Sequence, residues 1–295
     1  MDGAALANMI KPSAKDKTFS DYAFNRFVPY VTAQLHHVKH IDIVWDNYTE
    51  SSLKGTTRNK HGGVRQRVAL GNKLPRNWSC FLRNSQNKQE LFQLLAECAT
   101  SIDSREKQII SSCAEDILSS NPLEDMSRSR LAPCSHEEAD TRMFLHVVDA
   151  VQAGYTKISV CTVDTDVLVL AVALTQKLQI LSQDSIELWV AFGTGANLRY
   201  IAAHEISRSL TANAALALPA FHAFTGCDTV SCFYGKSKKT AMETWNNFPQ
   251  VTPVFAALSS APSEVCVEWM QVLERFVVLL YDRTSSSSSV NEARK

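Results

Sequence analysis

The string KISVCTV-DTD-VLVLAVALTQKL, residues 157–178, constrains the fold more than any other stretch. Its first seven residues are apolar and β-branched, the pattern of a short buried strand. Two aspartates one residue apart follow, and then an apolar run long enough for a buried helix. A strand that feeds directly into a helix is the repeating half of an α/β fold. The same alternation recurs. Glu138–Val151 places Met143, Val147, Val148 and Val151 at helical spacing, IELWVAF (186–192) reads as a strand, and IDIVW (41–45) is a short strand ending at Asp46. Together they predict a mostly parallel sheet flanked by helices. Glu90–Ala99 and Ile102–Leu118 read as helices, and 119–135, polar with two prolines, as a loop. From Asn197 on the chain reads as largely helical. It closes with an amphipathic stretch, Ser263–Leu280, and a flexible tail containing Ser285–Ser289.

With 45% apolar residues in 295, the chain can bury a sizeable core, and disorder is excluded for most of its length. No apolar run reaches the ~18 residues a membrane span needs. Asp2 follows Met1 with no basic region after it, which argues against secretion. The eight cysteines form no CxxC and read as reduced thiols in a nuclear or cytoplasmic protein. Cys227 and Cys232 make no closed metal site by themselves. Gly193-Thr194-Gly195 is too short for a dinucleotide loop. His36, His37, His40 and His136 read as surface or packing residues, and His204 and His222 as satisfied core histidines.

Net charge is zero, yet the charges are segregated. Residues 51–89 hold no Asp or Glu, but carry Lys54, Arg58, Lys60, Arg65, Arg67, Lys73, Arg76, Arg83 and Lys88. A second basic knot comprises Lys236, Lys238 and Lys239. A surface shaped only by solubility interleaves both signs. An acid-free stretch of this length is the footprint expected for a phosphate backbone.

The acids gather elsewhere. Asp2, Asp46, Glu138, Asp140, Asp164, Asp166 and Asp228 stand at predicted strand ends or helix starts. Singly, each has an ordinary use: Asp164 as a helix cap, Glu138 and Asp140 as first-turn acids facing the helix dipole, Asp228 in a turn. The i, i+2 pairs of DTD and EAD exceed what one cap requires. Paired acids at one sheet edge repel unless cations lie between them, and Mg²⁺ or Mn²⁺ with oxygen ligands is the natural solution.

In this order the residues resemble the flap endonuclease family, structure-specific nucleases of the PIN-like fold. The matching strings are Asp2, Asp46, Glu138-Ala139-Asp140, Asp164-Thr165-Asp166 and Gly226-Cys227-Asp228. GCDTVSCFYGKSKKTA resembles the family's segment leading into a helix–two-turn–helix that grips duplex DNA, with Gly235 and Ala241 at the expected places. WDNYTESSLKG resembles the stretch before the family's mobile basic arch. The strings HEEADTR and FTGCDT are also similar to those of uncharacterised animal proteins, some linked to mobile elements.

The resemblance implies a two-metal phosphodiesterase with two Mg²⁺ or Mn²⁺ ions held by the seven acids in one pocket. Lys54 and Arg58 would act on the scissile phosphate. Lys60, Arg65, Arg67, Gly235, Lys236, Ser237, Lys238 and Lys239 would hold nucleic acid, DNA with a single-strand to duplex junction above all. The alternative is a nuclease-like module that binds without cutting, possibly truncated. The implied organisation is a PIN-like core over 1–228 with a basic arch at 51–89, a helical extension over 229–282, and a tail from 283. Three departures stand out: Asp140 replaces a glutamate, Ser237 replaces a glycine, and only Met1 precedes Asp2. The expectation is therefore a fold lacking its first strand, with a slot beside the strand ending at Asp46 or Asp164 and Asp2 loosely held.

Overall fold

A computed structural model describes residues 1–48, 64–182, 184–228 and 230–294. Lys54, Arg58 and Lys60 lie outside the described residues. The chain divides into two compact units, one of Met1–Val163 with Ala191–Tyr200, the other of Asp164–Val190 with Ile201–Lys295. Both are built from helices and short strands, so the α/β class holds.

In chain order the main elements are α1 (Gly3–Met9), α2 (Val28–Leu35), β1 (His40–Ile43), α3 (Ser85–Thr100), β2 (Gln108–Cys113), β3 (Asp116–Ser119), α4 (Ala139–Gln152), β4 (Lys157–Thr162), α5 (Thr165–Leu181), β5 (Glu187–Phe192), β6 (Arg199–Ala202), α6 (Ala203–Ser209), α7 (Ala212–Phe224), α8 (Lys238–Asn247), α9 (Thr252–Leu258) and α10 (Val267–Tyr281). The strands form two small sheets, of order β1-β2-β3 and β4-β5-β6, in place of the single sheet expected. β1 runs parallel to β2, with His40 opposite Gln108 and Ile43 opposite Ser111. β3 runs antiparallel to β2, with Cys113 opposite Asp116.

The β2–β3 hairpin corrects the helix expected over Ile102–Leu118. Ile109, Ile110, Ser111 and Ser112 are all buried, because β2 is covered on both faces. A strand buried on both faces loses its alternation, and a short apolar run then reads equally well as helix. Ala114, with φ at 52°, makes the turn. A further short helix, Asp125–Leu131, sits inside the stretch expected to be loop.

In the first unit Phe19, Tyr22, Phe27 and Val31 pack against Ile41, Ile43 and Trp45, with Leu91 and Leu95 of α3. Truncating one such aromatic to alanine costs about 3–5 kcal/mol. Trp45 is held in place by its backbone N–H donating to Ser112 Oγ at 2.8 Å and its Nε1 donating to Ser111 Oγ at 2.9 Å. Its ring leaves no room for a side chain at residue 3: a Cβ on Gly3 would stand 2.2 Å from it.

The second unit has its own core. Phe221 of α7, Trp245 of α8, Phe255 of α9 and Phe276 of α10 are buried together, with Phe221 and Trp245 ring centroids 4.6 Å apart. The serine-rich stretch read as a flexible tail is tied to α10. Arg275 Nη2 donates to the Ser285 carbonyl at 2.8 Å, and the Val290 N–H to Glu274 Oε1 at 2.7 Å.

Candidate active site

Met1 and Asp2 are the most informative residues of the first unit. The Asp2 N–H donates to the Cys161 carbonyl of β4 at 3.1 Å, and the Val44 N–H donates to the Met1 carbonyl at 2.9 Å. Asp2 forms a parallel bridge with Val44, just past β1. This dipeptide therefore stands as a strand stub between the ends of β1 and β4. The loose hold expected for Asp2 is not found: the residue is pinned on both sides, and its Oδ1 also caps α1, accepting from the Ala5 N–H at 3.0 Å.

Asp46 follows two residues after Val44. Its Oδ1 accepts from the Ala139 N–H, the first of α4, at 3.0 Å, and its Oδ2 accepts from the Tyr48 hydroxyl at 2.8 Å. The Asn47 N–H donates to the Glu137 carbonyl at 2.7 Å, so the strand end and the helix start are laced together. Glu138 is the N-cap residue of α4 and Asp140 lies in its first turn. Burial pushes the Asp2 carboxyl above the usual carboxylate range, and the charge of Asp46 adds to this, against the opposing Ala5 bond. Two half-buried carboxylates, Asp2 lying in the field of Asp46, are the core of this group.

α4 is anchored by a residue the sequence reading passed over. Arg142 is fully buried and donates to the carbonyls of Ala114 and Asp116 across the β2–β3 turn. The only sequence signal was a basic residue on the apolar side of an amphipathic helix. One face away, Asp42 sits 2.8 Å from His146 Nδ1 and 2.9 Å from His40 Nε2. His40 and His146 are thus partners of a carboxylate, a pairing that only the fold creates.

The second unit holds the other acids. Asp164 caps α5, its Oδ1 accepting from the Asp166 N–H at 2.8 Å. Asp166 Oδ1 lies 2.8 Å from His222 Nε2 on the last turn of α7. His222 is half-buried and pairs with an acid, which corrects its reading as a satisfied core histidine. Asp228 is exposed in the turn after α7.

The basic residues divide by what already holds them. Lys238 donates to the His222 carbonyl and to Thr225 Oγ1, at the C-terminal end of α7, and burial lowers its pKa. Ser237 caps α8 through the Thr240 N–H at 3.1 Å. Lys236 Nζ lies over the Tyr281 ring at 4.9 Å, and Gly235 takes φ 69°, a conformation that favours glycine. Arg65 pairs with Glu90 and donates to Asn87 Oδ1 at 3.1 Å. The side chains of Arg67 and Lys239 stand on exposed residues.

A hard divalent cation suits these donors in kind. They are carboxylate oxygens, Mg²⁺ needs only one or two of them beside its waters, and a cation would offset the half-buried charge of Asp2. Among the described residues, no three His, Cys, Asp or Glu side chains form a metal-holding group. No described helix is long and apolar enough to cross a membrane. No family model, no curated protein and no solved structure matches this chain.

Proposed function

We propose that this protein is a metal-dependent phosphodiesterase acting on nucleic acid, on a variant of the PIN-like fold. One observation carries the reading. A half-buried aspartate with a raised carboxyl pKa, Asp2, is wedged between two strand ends and lies in the field of a second aspartate, Asp46. Ligands of open α/β sheets bind beyond the carboxyl ends of the strands, and both acids stand there. Asp2 and Asp46, with Glu138 and Asp140 at the start of α4, would hold Mg²⁺ or Mn²⁺. A bound ion would supply Lewis-acid polarisation of the phosphate and a nucleophile at neutral pH. The chain's own contribution is orientation: the Ala139 N–H and the Tyr48 hydroxyl fix the Asp46 carboxylate, and the Ala5 N–H fixes Asp2. Asp164 and Asp166 keep the role that the resemblance gives them, with His222 as an added partner of Asp166. The basic residues supply affinity for the phosphate backbone, with a nuclear location to match.

The test is cleavage of a labelled flap substrate in Mg²⁺, in chelator, and with Asp164→Asn, which keeps the cap on α5 while removing the charge. Cleavage that needs the cation and is lost in the variant supports the proposal. Cleavage that persists in chelator ends it. A binding module that does not cut is the second reading, favoured by the lack of a three-ligand group among the described residues. Salt-sensitive binding with no cleavage under any metal would establish it.

A further inference from the structure

After α7 the chain doubles back on itself at two cysteines. The Val230 N–H donates to the Cys227 carbonyl at 3.0 Å and closes a turn. Two residues on, Cys232 returns to the backbone of Gly226. A Cβ built on Gly226 would stand 2.5 Å from Cys232 Cβ and 2.8 Å from Cys232 Cα. Glycine alone admits that approach, and its φ of 100° is also a conformation that favours glycine. Cys227 is the next residue along. Standard backbone dimensions then hold the Cα atoms of Cys227 and Cys232 within about 8 Å of each other. A disulfide spans about 4.4–6.8 Å between Cα atoms, so closing one here asks for a small movement at most. Cys232 is exposed and Cys227 half-buried, so a small reagent reaches the pair. Cys227 also lies close enough to Lys238 for their charges to act on each other. That ammonium is held in place by the His222 carbonyl and Thr225 Oγ1. The thiolate that exchange requires would therefore have a fixed cation beside it.

We infer that Cys227 and Cys232 are a reversible redox pair, closed to a disulfide by a peroxide and reopened by a small thiol. The exposed Cys232 thiolate attacks one peroxide oxygen. The O–O bond breaks, hydroxide leaves, and Cys232 becomes a sulfenic acid. The Cys227 thiolate then attacks that sulfur. The S–S bond forms as the S–O bond breaks, and a second hydroxide leaves. The protons of the two thiols convert both hydroxides to water, so the pair gives up two electrons and the peroxide takes them. A small thiol reverses the step by exchange through a mixed disulfide, and is itself oxidised to its disulfide. The bridge spans Asp228, so its state sets how firmly that exposed acid is tied to the end of α7. The redox pair does not rest on the nuclease reading: it is defined by the fold of this loop alone.

The test uses the full chain, reduced, freed of thiol, treated with hydrogen peroxide, alkylated and digested with trypsin without reductant. Cys227 and Cys232 fall in one tryptic peptide, 209–236, which holds no other cysteine. Mass spectrometry is expected to show that peptide lighter by two hydrogens and unalkylated, with dithiothreitol restoring both thiols. Cys227→Ser and Cys232→Ser, near-isosteric changes at accessible positions, are each expected to abolish the mass loss. Gly226→Ala displaces Cys232 from its place beside residue 226. Against a glutathione buffer it is expected to lower the equilibrium constant for the bridge by roughly tenfold. A peptide still fully alkylated after peroxide overturns the inference. So does oxidation to sulfinic acid with no bridge, or a bridge from either residue to some other cysteine in preference. Gly226→Ala that bridges as readily as wild type overturns it as well. Loss of cleavage activity with the bridge still forming would fault the nuclease proposal alone.

Discussion

Nε2 of His222 lies 2.8 Å from Oδ1 of Asp166, which ties the acid that opens α5 to the last turn of α7. A carboxylate at a helix start is usually satisfied by its own backbone, and this one has a side-chain partner 56 positions away. Replacing His222 by alanine is expected to cost about 0.5–1.5 kcal/mol, the net worth of one such bond. It should also lower cleavage, since the carboxylate loses its orientation. His222→Asn should recover part of both. Thermal melts and initial rates on the same preparations decide this. Variants that match wild type in both would remove His222 from the site.

Asp42 and its two histidines set a pH window for stability. Burial pushes the Asp42 carboxyl up, but the charge of His40 and the bonds from both histidines outweigh it, and the group titrates well below the usual range. Burial also pulls His40 down, yet Asp42 raises it further, so it stays protonated above the ordinary histidine range. A depressed acid stabilises the fold above its unfolded pKa of about 3.9, and that contribution is lost as pH falls through its folded value. A raised histidine stabilises below about 6.5, and its contribution is lost as pH rises through its folded value. The cluster therefore contributes most between about pH 4 and 6.5. Asp42→Asn is expected to cost about 1.5–3 kcal/mol there and to flatten both limbs. Urea melts across pH test it, and an unaltered profile in the variant refutes it.

Asp2 has the opposite sign. Its carboxyl is raised, chiefly by burial, so its charge weakens the fold once pH climbs past the unfolded value of about 3.9. Asparagine caps a helix as well as aspartate does. Asp2→Asn should therefore raise the melting temperature at pH 7, with the gain shrinking to nothing below about pH 4. If Asp2 holds a cation, the same variant loses cleavage by orders of magnitude. A variant that is less stable at pH 7 contradicts the burial argument.

Reversing Arg65 is a poor probe of nucleic-acid binding, because the side chain pairs with Glu90. Arg65→Glu should lower stability as well as affinity. Arg67→Glu should weaken binding alike for all sequences and reduce the salt slope by about 1. Lys238→Met should cost about 1–3 kcal/mol, because two acceptors at the end of α7 lose their donor. Salt titrations and melts separate the two effects. Salt-independent binding would point to a protein partner.

The sequence by itself determined the α/β class and the strands that end at Asp46 and Asp164. It also determined the buried helix after Asp166 and the segregation of charge. These follow from periodicity and local composition, which read one element at a time. It also held the acids at strand ends, because a cap or turn is a local feature. Tertiary structure decided the rest. Ile109 and Ile110 became strand because β2 is covered on both faces, a property of its neighbours that its own apolar run does not reveal. His40, His146 and His222 found carboxylates, and Arg142 found carbonyls, only when distant segments met. Asp2 needed no strand of its own to be held, because two edges far apart in sequence met around a dipeptide and supplied the hydrogen bonds that a strand would otherwise have shared.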